Sequence, residues 1–219
     1  MKRYLPILKK CRLFAEIAES DLIGLLGCLG ARVEIFAKHD IIFAEGDAAK
    51  ALGIVLSGEV RIERVDYDGN RSIVSQTLPT GLFGESFACA EVESIPVDVV
   101  ASEPSEVMLI DVHRITKSCC NACDFHNRII FNLMQLVAVQ NLRFHRKLMI
   151  TSRRTTREKL LAYLSEEAKE RGRADFEIPF DRQELADYLE VDRSGLSAEI
   201  SKLRREGILE AERNRFVLL

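Results

Sequence analysis

Three sets of residues have the types and spacing to do chemistry. The first lies in Gly81–Ala101, GLFGESFACAEVESIPVDVVA. It opens like a phosphate-cradling turn, with two glycines, a glutamate and a loop that returns to a β-branched strand. A cation should face the phosphate across that loop. Ile95 and Pro96 stand there instead, and no Arg or Lys lies between Gly81 and Ala101. An anion bound in such a partly buried site would lack its charge-assisted partner, a heavy desolvation cost. The second set is Cys119, Cys120, Cys123 and His126, gathered within eight residues. The C-x2-C-x2-H spacing suits zinc, another soft metal or a cluster, and thiol redox chemistry is open to it too. Buried thiols beside a helix-capping histidine would leave the same pattern. The third set is Arg182, Gln183, Arg193, Ser194, Ser197, Lys202, Arg204, Arg213 and Arg215. These are donors and cations suited to base edges and phosphates.

The whole chain bounds what these sets can do. Its 219 residues suffice for one or two cores. The net charge of −3 does not advertise a polyanion partner. The distribution says more. Phe125 to Arg157 contains no Asp or Glu but holds Arg128, Arg143, Arg146, Lys147, Arg153, Arg154 and Arg157. Such a stretch is either an electrostatic footprint or a solvated helix face. No apolar run is long enough to cross a membrane, and Lys9, Lys10 and Arg12 break up the N-terminus where a signal peptide needs an apolar core. The expected compartment is the cytoplasm, with the six cysteines mostly thiols.

The positioning elements change character along the chain. Leu5, Leu8, Phe14, Ile17, Leu22, Leu25, Leu26 and Leu29 recur at helical spacing, with Ser20-Asp21 expected as an N-cap. From Ala31 to about Val112 short β-rich segments follow: VEIF, IIF, GIVLS, EVRIERV, RSIVSQTL, VDVVA and EVMLID. Glycine-bearing turns such as Asp68-Gly69 separate them, which predicts an antiparallel sandwich or barrel. A long helix, about Phe125–Ile150, has no Gly or Pro. Ile130, Met134, Val137, Asn141, Phe144 and Leu148 form a coiled-coil seam with one polar residue, a dimer contact. Leu133, Leu136, Val139 and Leu142 supply a second apolar face to pack on the sandwich.

The last third reads as helix, short extended piece, helix, tight turn, helix and β-hairpin, the order of a winged helix-turn-helix. Thr155 or Thr156 caps the first helix and Gly172 closes it. Asp181 and Glu184 form a capping box for the second. The turn Glu190-Val191-Asp192 buries Val191 and caps the third helix with Asp192. Leu185, Ala186, Leu189, Leu196, Ile200 and Leu203 face inward. Arg193, Ser194, Ser197, Ala198 and Ser201 are left to face base edges in a major groove. Arg193 suits a bidentate contact with guanine. Arg182, Gln183, Lys202, Arg204, Arg213 and Arg215 suit phosphates.

These pieces resemble the CRP/FNR family of bacterial transcription regulators over nearly the full chain. The matching stretches are FAEGD (43–47), GIVLSGEVRIERVDYDGN (53–70), GLFGES (81–86), the long helix and RQELADYLEVDRSGLS (182–197). NACDFH (121–126) and TSRRTTREKLLAYL (151–164) resemble a branch common in anaerobic Firmicutes. The resemblance implies an α+β chain. Residues 1–122 would be an N-terminal antiparallel β jelly-roll of cyclic-nucleotide-binding type, 123–151 a dimerisation helix and 152–219 the winged helix-turn-helix. It implies no enzyme but a homodimer on a palindromic double-stranded DNA site, a small-molecule effector in the jelly-roll, RNA polymerase as a further partner, and no membrane.

The sequence also departs from that family's pattern. Arg193 matches the base-reading arginine, but Ser194 replaces a frequent glutamate and Ala198 a second arginine. Either weaker affinity or a site read through fewer direct contacts is expected. In the cyclic-nucleotide members a glutamate binds the ribose and an Arg-Ser/Thr pair binds the phosphate. Glu85 matches the first, whereas Ile95 and Pro96 hold the second place. The effector is therefore expected not to be cAMP or cGMP, and its identity stays open. Gly84, Glu85, Ser86, Ile95 and Pro96, with Asn141 of the seam, form the effector set, fitted to a less anionic, more hydrophobic ligand. The alternative trigger is metal or redox chemistry at Cys119, Cys120, Cys123 and His126.

Overall fold

The structure, a computed structural model, describes residues 1–69, 71–116 and 124–219. Packing divides the chain into two units, Met1–Gly69 with Val74–Asn141, and Leu142–Leu219 with residues 70–73.

The first unit is built on two four-stranded sheets. One runs in the order β1 (Arg32–Phe36), β8 (Ser105–Asp111), β3 (Ala51–Ser57), β6 (Leu82–Phe83). The other runs β2 (Ile41–Phe43), β7 (Asp98–Ala101), β4 (Val60–Val65), β5 (Arg71–Thr77). The pairs β1–β8, β3–β8, β3–β6, β2–β7 and β4–β7 are antiparallel. Val55, Val60, Ile62, Phe83, Val97, Val99, Val107 and Leu109 make one core. Alternate residues of the same strands, Leu52, Ile54, Leu56, Met108 and Ile110, make a second core with the N-terminal helices α1 (Leu5–Leu8) and α2 (Glu19–Cys28). Burial on both faces explains why β3 reads as a continuous apolar run rather than an alternating one. Gly53 within it is required, because an added Cβ would lie 2.0 Å from Cζ of Phe83.

α2 does not start on the Ser20-Asp21 cap. Its N-cap is Ala18, and Glu19 and Asp21 occupy the first turn, where carboxylates favour the helix dipole. After β6 come α3 (Glu85–Cys89) and, following β8, α4 (Val112–Thr116). α5 then runs unbroken from Asp124 to Thr151. Ile129 and Leu133 are buried against the N-terminal helices, with Leu136 partly so. Asn132 donates Nδ2 to the carbonyls of Leu13 and Ala15, both at 3.0 Å. Leu142 is exposed, so the second apolar face ends before it.

The second unit holds α6 (Thr156–Arg171), β9 (Asp175–Glu177), α7 (Arg182–Leu189), α8 (Arg193–Arg205), β10 (Leu209–Glu212) and β11 (Arg215–Leu218). Thr155 and Glu158 make a reciprocal capping box at the start of α6, and Gly172 ends it with φ +64°. The hairpin gains a third strand, in the order β10-β11-β9. Leu160, Leu164, Phe176, Leu185, Leu189, Leu196, Leu203 and Phe216 form its core.

Candidate nucleic-acid interface

The helix-turn-helix is set by local chemistry. Asp181 accepts the Glu184 N–H and Glu184 accepts the Asp181 N–H, each at 2.8 Å, which starts α7. Glu190 ends α7 at φ +54°, and the Val191 N–H reaches back to the Ala186 carbonyl at 3.1 Å. Val191 packs partly buried on the core, as its apolar character requires. Asp192 then accepts the Gly195 N–H at 2.7 Å and the Ser194 hydroxyl. Both bonds hold its carboxyl below the ordinary aspartate range.

Leu196, Ile200 and Leu203 turn inward from α8. Arg193, Ser194, Ala198, Ser201, Lys202 and Arg204 are exposed and Ser197 is half-buried. This is the face assigned above to base edges. Two of its serines are already engaged. Ser194 donates to Asp192, and Ser201 donates to the Ser197 carbonyl at 2.9 Å. The helix therefore presents Arg193, Lys202 and Arg204 as extended donors, beside the small Ser197 and Ala198. A groove of about 810 Å³ lies between α8 and the hairpin, lined by Ser201, Arg204, Arg205, Glu210, Glu212 and Arg215 among others.

Several assigned phosphate ligands turn out to be committed within the unit. Arg182 donates Nη2 to the Arg213 carbonyl at 3.0 Å and lies 5.5 Å from the Phe216 ring centroid. Burial lowers its pKa. Arg215 grips Asp175 through Nε at 2.8 Å and Nη2 at 2.5 Å, which raises its pKa. A phosphate would have to draw it from that carboxylate. Gln183 is exposed but donates Nε2 to Asp187 at 2.7 Å. Arg213 is exposed at the turn with φ +50°. The basic stretch between Phe125 and Arg157 is likewise less open than its sequence implies. Arg128 pairs with Glu16, Arg146 with Glu170, and Arg157 with both Glu199 and Glu206. Lys147 is half-buried, whereas Arg143, Arg153 and Arg154 are exposed.

The effector residues divide. Gly84, at φ +74°, is the N-cap of α3, and a Cβ there would crowd Cε2 of Phe43 at 3.0 Å. Glu85 begins α3 and is buried, with Ser86 half-buried behind it. Ile95 is buried in the sandwich core, its backbone paired with Asp47 and Gly46 at 2.8 and 2.9 Å. Pro96 faces solvent, so the two residues do not line one site together as the effector set assigned above requires. Asn141 is exposed on α5.

Along the seam, Met134, Asn141, Phe144 and Leu148 are exposed. Ile130 and Val137 instead pack partly buried on the N-terminal helices. Cys119, Cys120 and Cys123 lie outside the described residues. His126 is buried, with Nε2 3.1 Å from the Arg114 carbonyl. Among the described residues no group of three metal-ligating side chains forms. Burial pushes the Cys11 thiol up to about 11, and burial followed by Glu85 raises that of Cys89.

The sequence reading passed over Arg157 and Lys159 as anchors of α7 and α8. The signal was the pair Glu199 and Glu206, seven residues apart on one helix face. It also passed over Arg61, a buried strand arginine donating Nε to Glu59 at 2.7 Å.

A double-sheet sandwich, a long helix and a winged helix-turn-helix together define a DNA-binding regulator with a ligand-type domain ahead of its reading head. The cyclic nucleotide-binding domain model matches residues 33–119, and the Crp-like helix-turn-helix domain model matches residues 158–219. The chain belongs to the CRP/FNR family of transcription regulators. It is 25% identical over 191 residues to the nitrogen fixation regulation protein FixK of Azorhizobium caulinodans, covering 84% of this chain and 74% of that protein. It is 25% identical over 180 residues to the transcriptional activator protein FnrA of Stutzerimonas stutzeri, covering 80% and 71%. Its fold matches the c-di-GMP responsive global regulator CLP of Xanthomonas campestris with TM-score 0.72 at 20% identity, covering 90% and 98%. No helix among the described residues is long and apolar enough to cross a membrane.

Proposed function

We propose that this DNA-binding regulator acts as a cytoplasmic homodimer whose first domain senses a small effector other than cAMP. The capped recognition helix α8, with Arg193 exposed at its first position, carries the DNA-reading part. Residues 1–122 sense, 123–151 dimerise through Met134, Phe144 and Leu148, and 152–219 bind a palindromic duplex. Two recognition helices related by a dimer axis would enter successive major grooves about 34 Å apart. RNA polymerase is the partner that would convert occupancy into transcription.

The effector reading rests on Gly84, Glu85 and Ser86 opening a short helix, with Ile95 where a cation would serve a phosphate. Ile95 belongs to the core, so the ligand is less anionic and more apolar than a cyclic nucleotide. Thermal-shift screening of small aromatic acids beside cAMP and cGMP tests this. Stabilisation by an aromatic acid and none by the nucleotides fits; stabilisation by cAMP removes the reading.

A second trigger has its own support. His126, buried at the start of α5, follows Cys119, Cys120 and Cys123 closely in sequence. Replacing those cysteines by serine and finding the DNA response to oxidant or zinc unchanged would remove it.

A further inference from the structure

Within the DNA-binding unit, the first turn of α6 holds both helices of the helix-turn-helix. Arg157 donates Nη1 to Glu199 at 3.2 Å and Nη2 to Glu206 at 2.6 Å. Both carboxylates are on α8, the first in mid-helix and the second at its C-cap. Lys159 donates Nζ to the carbonyls of Leu189 and Glu190, at 3.2 and 3.1 Å, where α7 ends. The capping box of Thr155 and Glu158 fixes the backbone that carries both cations.

Glu199 and Glu206 are two turns apart, so one guanidinium gathers the side chains of two residues separated by roughly 10 Å of helix axis. The apolar contacts of Leu196, Ile200 and Leu203 hold α8 against the core, but apolar contact is non-directional. A planar guanidinium fork between two carboxylates is directional. It restrains both rotation of α8 about its axis and sliding along it. Glu199 stands next to Ala198 and two positions from Ser197 and Ser201, so its azimuth sets which side chains face outward.

We propose that Arg157 is a positioning residue for DNA sequence recognition, acting through Glu199 and Glu206 and touching no DNA. This rests on the reading of α8 as the recognition helix. The role differs from that of a phosphate contact in its dependence on sequence and on salt. A phosphate ligand adds to affinity for any sequence and steepens its salt dependence. A positioning clamp adds only to the preference for the right sequence.

The test uses the full chain and two duplexes, one selected from a randomised pool by the wild-type protein and one scrambled. Binding is followed by fluorescence anisotropy across a salt series, with thermal melting of each variant alongside. Arg157→Ala should lower affinity for the selected duplex at least about tenfold and leave the scrambled duplex within about twofold, with an unchanged salt slope. Glu199→Ala should also lower the selected-to-scrambled ratio, and Arg157→Lys should keep part of it. If Arg157→Ala unfolds, Arg157→Lys and Glu206→Gln carry the same comparison. Equal weakening on both duplexes, with the salt slope falling by about one, would make Arg157 a phosphate ligand and overturn the proposal. So would tighter binding to both duplexes by Glu199→Ala, or an unchanged ratio in every folded variant. A wild-type protein that selects no duplex would instead remove the recognition-helix reading, and the clamp with it.

Discussion

Arg182 on α7 donates Nη2 to the backbone carbonyl of Arg213 at 3.0 Å, so the first helix of the reading head is tied to the turn of its wing. The same guanidinium lies over Phe216, whose ring is fully buried. The tie uses the carbonyl of Arg213 and not its side chain. Arg182→Ala should therefore lower stability by roughly 1–2 kcal/mol through the lost bond and ring contact. Arg213→Ala should leave stability within about 0.5 kcal/mol, as a surface change does. Urea unfolding of the two variants checks the contrast. Equal losses from both would contradict it.

Lys147 gives a pH dependence. Burial lowers its pKa from the ordinary 10.5 to about 8, against an opposing pull from Glu190. Its ammonium donates to the Ile73 carbonyl and lies 4.8 Å from the Tyr188 ring centroid. Between about 8 and 10.5 the unfolded chain holds this proton and the folded chain does not. Stability contributed at this site must therefore rise with pH across that window. Melting of the wild type and Lys147→Met from pH 7 to 10.5 reads it. The wild type should gain on the variant as pH rises; a constant gap would sink the assignment.

Gly53 tests the packing of the sandwich. Its missing Cβ is filled by the Phe83 ring at 2.0 Å. Gly53→Ala should destabilise by about 1–3 kcal/mol, the usual cost of overpacking. Gly53→Ala with Phe83→Leu should recover part of that loss. Denaturant midpoints decide it, and a neutral Gly53→Ala would refute the close contact.

The exposed apolar residues of α5 predict an assembly. Met134 is 60% exposed and Leu148 63%, on a helix with no polar explanation for either. Met134→Glu with Leu148→Glu should shift sedimentation from dimer to monomer without lowering helix content. A wild-type monomer at micromolar concentration would contradict the dimer reading.

How much of this was legible in the sequence follows from how local each cause is. The capping box at Asp181, the Gly172 stop and the turn at Glu190–Asp192 are decided by neighbours within a few residues and form as read; of the two threonines offered as a cap for α6, Thr155 takes the place, with Glu158 completing a box that was not read. The strands were legible because turn residues punctuate them. The start of α2 was not, since Ala18 caps it without a side-chain bond and offers no chemical signature. The fate of charges was least legible. Arg157, Arg182 and Arg215 read as free cations, yet each is bound to a partner at least thirty residues away in the chain. The missing cation of the Gly81–Ala101 loop was plain from the sequence. That Ile95 enters the core while Pro96 faces solvent depended on loop backbone bonds from Ile95 to Gly46 and Asp47, distant in sequence.

The central claim is that α8 reads DNA, with Arg193 as its extended donor. Equilibrium anisotropy on a duplex selected from a randomised pool tests it most directly, comparing wild type with Arg193→Ala. Loss of a bidentate base contact should weaken the selected duplex by about 1–3 kcal/mol, roughly five- to 150-fold, and leave a scrambled duplex much less affected. Identical binding of both duplexes by both proteins would contradict the account.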